Sequence, residues 1–87
     1  MNEIEELRRK IDNADILLVG LFEKRMSLCS RIGALKKENS LPVQDSSRES
    51  VVIENALASL SDASLEPYCR RLMELLVEMS REYQSLL

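Results

Sequence analysis

The 87 residues make one small domain, carry a net charge of −3 and include no histidine. That balance argues against a general nucleic-acid or membrane-surface binder, and the missing imidazole removes the commonest general base and metal ligand. No apolar run approaches the ~18 residues of a membrane span, so no membrane partner is expected. Cys29 and Cys69 stand apart with no CxxC spacing. They read as reduced, buried cytoplasmic cysteines rather than a disulfide or metal pair. The start, MNEIEELRRK, is acidic and amphipathic, unlike a secretory signal, which agrees with a cytoplasmic location. There is no Gly-rich phosphate loop, HExxH or GxSxG. Any chemistry here is expected to need no metal, cofactor or nucleophile.

The first predicted element is one unbroken helix from about Glu3 to Lys37. Ile4, Leu7, Ile11, Ala14, Leu18, Leu21, Arg25, Leu28, Ile32 and Leu35 step by three and four residues, and nine of these ten are apolar. The exception is Arg25, a permanent cation within the seam, costly there unless something anionic meets it. A rod of about 50 Å exceeds the ~30 Å diameter of a compact chain of this size, so much of the seam needs a second copy to cover it. Gly20 and Gly33 each weaken the helix by about 1 kcal/mol relative to Ala. They read either as tolerated or as points of close approach, by another helix at Gly20 and by a ligand or helix at Gly33.

Asn39 and Ser40 close this helix, and Pro42 favours an extended Leu41. Ser46-Ser47-Arg48-Glu49 matches a capping box opening a second helix near Asp45 or Ser46, which runs to about Ser59. Val52, Ile53, Ala56, Leu57 and Leu60 form its apolar stripe. After a turn at 61–64, a third helix starts near Ser64 with Pro67 in its first turn. Leu65, Tyr68, Leu72, Leu75, Leu76, Met79, Tyr83 and Leu86 are its expected buried face. The fold class is therefore all-α: long, short and medium helices in one domain over residues 1–87, paired as an intertwined homodimer.

Several polar residues spoil these stripes. Arg25 and Lys36 are eleven residues apart and share a face, with Cys29 and Ile32 between them as an apolar floor. About 16 Å of helix axis separates the two cations, room for one small anion. Asp45, Arg48, Glu49 and Val52 lie on one face of the second helix. Met73, Val77, Ser80 and Gln84 form a stripe on the third that turns polar at its end. Each has a plainer reading. Arg25 pairs with a carboxylate to fix dimer register, Lys36 is a solvated helix-end lysine, Arg48 and Glu49 a solvated helix start, and Ser80 and Gln84 half-exposed polar residues. Against these stands their conjunction: each helix breaks its pattern with groups suited to a small polyanion.

Taken together these residues resemble an all-helical chorismate mutase of the intertwined, dimeric bacterial type. The resemblance runs from about Leu7 to Gln84. It rests on Leu7-Arg8-Arg9-Lys10-Ile11-Asp12, Glu23-Lys24-Arg25, Gly33-Ala34-Leu35-Lys36, Pro42-Val43-Gln44-Asp45, Arg48-Glu49, and Ser80 with Gln84. It implies an isomerase of aromatic amino-acid biosynthesis that rearranges chorismate to prephenate by holding the reactive conformer and stabilising charge. By position, Arg25 and Arg8 of the partner subunit would grip the substrate carboxylates, with Arg48 and Ser80 nearby. Lys36 and Gln84 would hydrogen-bond the ether oxygen, and Glu49 with Asp45 would take the ring hydroxyl. Arg8 and Arg25 are 17 residues apart, about 25 Å along one rod and about 100° out of phase, so both serve one site only if two chains share it. Gln44 stands where some members of the family carry an arginine, implying weaker attraction at the pocket mouth. No fused domain follows Leu87, so a monofunctional enzyme is expected. The alternatives are an isochorismate-pyruvate lyase of the same fold, which Glu49 beside Arg48 disfavours, and a non-catalytic helical dimerisation or regulatory module.

Overall fold

A computed structural model describes residues 2–87. It contains three α-helices, α1 (Glu3–Glu38), α2 (Ser46–Ala58) and α3 (Glu66–Ser85), with a single 3₁₀ turn at Ala63–Leu65 before α3. Among the described residues there is no strand. The all-α, long–short–medium layout expected from the sequence is the one found. None of these helices is long and apolar enough to cross a membrane.

Local chemistry fixes the helix ends. Asn2 caps α1 by accepting the Glu5 N–H at 2.7 Å. Asp45, not Ser46, caps α2, its Oδ1 accepting the Arg48 N–H at 3.0 Å. A carboxylate at this position also suits the positive end of the helix dipole. Asp62 caps the 3₁₀ turn, and bonds from the Ser64 hydroxyl and then the Ser64 backbone N–H hold its carboxyl below the usual range. Pro67 sits in the first turn of α3, where no N–H is needed. At the far end of α1, the Ser40 N–H reaches Lys37 O at 3.2 Å and the Leu41 N–H reaches Lys36 O at 2.7 Å. These two bonds are the Schellman closure, with Ser40 taking the left-handed conformation at φ 56°.

The middle element is α3, which packs against α1 on one side and α2 on the other, while α1 and α2 do not pack on each other. The residues of α1 turned toward α3 begin at Phe22 and continue through Met26, Cys29, Ser30 and Gly33. Gly33 is the one fully buried position of α1. A Cβ there would stand 2.9 Å from Gln84 Cγ and 3.1 Å from a Leu87 methyl, so the helices approach this closely only because the side chain is absent. Gly20 has open space around it, and the approach of another helix expected there is not made within this chain.

Within a single chain, one expected face is not the one that packs. The face of α3 turned inward is Cys69, Met73, Leu76, Val77, Ser80 and Gln84, whereas Tyr68, Leu72, Leu75, Tyr83 and Leu86 point outward, Tyr68 at 65% exposure. Both stripes have helical period, so periodicity alone did not choose between them. The polar end of the inward stripe bonds to α1, and the apolar stripe is left on the surface.

The molecule measures 58 × 25 × 15 Å with a radius of gyration of 16.2 Å, against about 12 Å for a compact chain of this length. The first five turns of α1 touch no other element, leaving Ile4, Leu7, Ile11, Leu18 and Leu21 about half exposed or more. Among the described residues only Gly33, Val77 and Ser80 are buried. A single chain therefore has almost no core of its own.

The left-handed Ser40 gives a stability prediction. Relieving its Cβ clash gains more than glycine loses in unfolded-chain entropy, so Ser40→Gly should stabilise the fold by about 0.5–1 kcal/mol. Thermal unfolding followed by circular dichroism checks this, and a lower melting temperature would contradict it.

Candidate active site

The gap between α1 and α2, backed by α3, is a cleft of about 300 Å³. From α1 it is lined by Arg25, Cys29, Ile32 and Lys36, the face that the eleven-residue spacing gave. Asp45, Arg48, Glu49 and Val52 of the α2 start line it opposite, and Val77, Ser80 and Gln84 of α3 close the back. Of the site residues expected from the sequence, Arg25, Lys36, Asp45, Arg48, Glu49, Ser80 and Gln84 come together here. Arg8 does not: it lies on the exposed start of α1, paired with Glu5 at 2.9 Å.

Arg25 sits at the border between the outward seam and the face against α3. Its Nη1 donates to the Ser80 hydroxyl and, at 3.4 Å, to the Leu76 carbonyl; Cys29 Sγ lies 3.9 Å away. Every one of these acceptors is neutral, and among the described residues no carboxylate pairs with it. Ser80, only 7% exposed, donates in turn to Leu76 O at 2.8 Å. Its hydroxyl therefore aims the guanidinium and is largely occupied in doing so.

The two groups expected at an ether oxygen are each anchored by one donor, with others left over. Lys36 Nζ donates to Val43 O at 2.8 Å, using one of the three N–H bonds of an ammonium. Gln84 Nε2 donates to Cys29 O at 2.8 Å, which orients the amide and leaves its second N–H. That carbonyl lies one turn before Gly33, where the missing side chain lets Gln84 lie across α1.

At the α2 side, Asp45 Oδ1 is taken up by the helix cap. Glu49 is held by Arg81, whose Nη1 lies 2.9 Å from Oε1 and 3.0 Å from Oε2. Arg81 was not among the expected site residues. Its position at i+4 from Val77 and i−3 from Gln84 put it on their face, and that spacing was the available signal. It also borders the shallow recess that Gln44 lines. Counting Arg81, the cleft carries four cations against two carboxylates, a balance that attracts an anion. Apolar walls from Leu28, Ile32, Val43, Val52 and Val77 would strengthen that attraction. Among the described residues no three His, Cys, Asp or Glu side chains gather as a metal site would require.

Comparison with known proteins gives the same picture. The T-protein of Haemophilus influenzae is 33% identical over 78 residues, covering 84% of this chain and 21% of that protein. The bifunctional chorismate mutase/prephenate dehydratase of Aquifex aeolicus is 37% identical over 57 residues, covering 66% of this chain and 16% of its own length. The chain thus spans about a fifth of these relatives or less. A conserved hypothetical protein from Pyrococcus furiosus has the same fold over 97% of both chains, with a TM-score of 0.79 and 30% identity. The sequence model of the family described as chorismate mutase type II matches residues 7–85, nearly the whole chain, and the protein belongs to that family.

Proposed function

We propose that the protein is a chorismate mutase, an isomerase converting chorismate to prephenate on the route to phenylalanine and tyrosine. The observation that carries this reading is Arg25: a half-buried guanidinium facing a cleft, held by neutral acceptors alone among the described residues. A buried cation without a counter-charge is costly, and a doubly negative substrate supplies that charge. Among the described residues no carboxylate of the same chain pairs with Arg25, which leaves its charge for a bound anion.

The rearrangement needs no proton transfer and no covalent intermediate, so the side chains work by position and charge alone. Arg25 and Arg48 bind the carboxylates and hold the chain and ring in the reactive conformer. Lys36 and Gln84 meet the ether oxygen with the N–H bonds they have left, and their anchors on Val43 O and Cys29 O keep them aimed before substrate arrives. Negative charge grows on that oxygen as the bond breaks, so these bonds strengthen in the transition state. Glu49, with Asp45 beside it, accepts from the ring hydroxyl.

We further propose a homodimer in which α1 of one chain crosses α1 of the other. The exposed seam and the near absence of a core support this. Arg8 of the partner subunit then completes each site. The two free cysteines support a reducing, cytoplasmic location.

Three measurements test these readings. Purified protein mixed with chorismate should yield prephenate; salicylate formed from isochorismate instead would favour a lyase, and turnover of neither a binding module. Arg25→Ala and Arg8→Ala homodimers should each lose about 10²–10³-fold in kcat/KM. Mixing the two variants should restore one intact site in each heterodimer, and a mixture as inactive as its components would refute the shared site. Gln84→Glu should confine activity to acid pH. Its protonated form still donates, whereas the carboxylate repels both the ether oxygen and Cys29 O, so the rate should fall about tenfold per pH unit above the carboxyl pKa. A profile like that of the parent enzyme would remove Gln84 from the mechanism.

A further inference from the structure

Glu49 reaches the cleft already paired. One corner of the Arg81 guanidinium straddles its carboxylate, Nη1 lying 2.9 Å from Oε1 and 3.0 Å from Oε2. The pair is half-buried, with the side chains 34% and 24% exposed, and it joins α3 to α2 at the rim of the cleft. Among the described residues the remaining Arg81 N–H groups have no partner. Asp45 is the other carboxylate here, and its Oδ1 is held by the cap on Arg48 N. At this corner two guanidiniums, Arg48 and Arg81, balance the two carboxylates.

Resting on the chorismate reading, with Glu49 meeting the ring hydroxyl, we propose that Arg81 is a specificity-determining residue. It fits the site to a neutral hydrogen-bond donor at that ring position and excludes a cationic one. A carboxylate has about four acceptor positions, and Arg81 takes two, so a hydroxyl still finds a lone pair on Glu49. A hydroxyl carries no charge and is indifferent to the guanidinium beside it. An ammonium in the same place needs the full negative charge of Glu49, which Arg81 already neutralises. It would also stand against the Arg81 guanidinium, a like charge. Like charges brought together in a partly desolvated corner reject the wrong ligand more effectively than a missing hydrogen bond does.

The experiment compares chorismate with 4-amino-4-deoxychorismate, in which an amine replaces the ring hydroxyl. The amine's inhibition constant against chorismate turnover, divided by the chorismate KM, is measured for the parent, for the neutral variants Arg81→Met and Arg81→Gln, and for Arg81→Lys. The parent should hold the amine more weakly than chorismate. In either neutral variant that retains the helical circular-dichroism spectrum, the ratio should fall about tenfold toward the amine. Arg81→Lys, which keeps the charge, should stay near the parent. An unchanged ratio in the neutral variants, or an equal fall in the lysine variant, overturns the proposal. So does a parent that binds both ligands equally. A residue that merely fastened α2 to α3 would lower stability and leave the ratio alone. Failure of the parent to convert chorismate would instead reject the underlying function, so the two failures are separable.

Discussion

A guanidinium held by uncharged acceptors organises this molecule. Arg25 is drawn into the interface between α1 and α3 by the Ser80 hydroxyl and the Leu76 carbonyl, two groups one helical turn apart on α3. Those bonds satisfy the donors without cancelling the charge, which stays available to whatever occupies the cleft. They also fix the rotation of α3. With Ser80 turned toward α1, Gln84, one turn further on, necessarily faces α1 as well, and Val77 forms the wall between.

The close contact at Gly33 extends the same arrangement to the end of α3. Because no Cβ intervenes, Gln84 lies across α1 and donates to the carbonyl of Cys29. The Gln84 amide is thereby locked from behind by backbone, and Lys36 is locked in the same manner by Val43 O. In the proposed mechanism this preorganisation costs nothing at the moment of reaction, because the donors are held before substrate arrives. The cleft is also shielded by apolar side chains, which keeps the local dielectric low and each remaining N–H effective.

The same rotation of α3 leaves its most apolar stripe outside. Tyr68, Leu72, Leu75 and Tyr83 join the bare seam of α1 as uncovered surface, and among the described residues only Val77 is a buried apolar side chain. That uncovered surface and the small core are what support the proposed crossed dimer. Turning the polar stripe inward to build the cleft is what turns the apolar stripe outward.

By itself the amino-acid sequence determined everything that depends on one helix at a time. The approximate extents of α1, α2 and α3, the break at Asn39-Ser40, and the shared faces of Arg25 with Lys36 and of Arg48 with Glu49 all follow from 3.6-residue geometry and local hydrogen bonding. Only the tertiary structure decided what passes between helices. It selected the Val77–Ser80–Gln84 stripe of α3 over the more apolar one beside it, paired Arg81 with Glu49 across 32 residues, and brought Gln84 over Gly33. The physical reason is that periodicity sets which residues share a face, whereas the rotation of that face depends on partners distant in the chain. Here the partner was a charged side chain on another helix, and satisfying its donors outweighed burying leucine and tyrosine within a single chain.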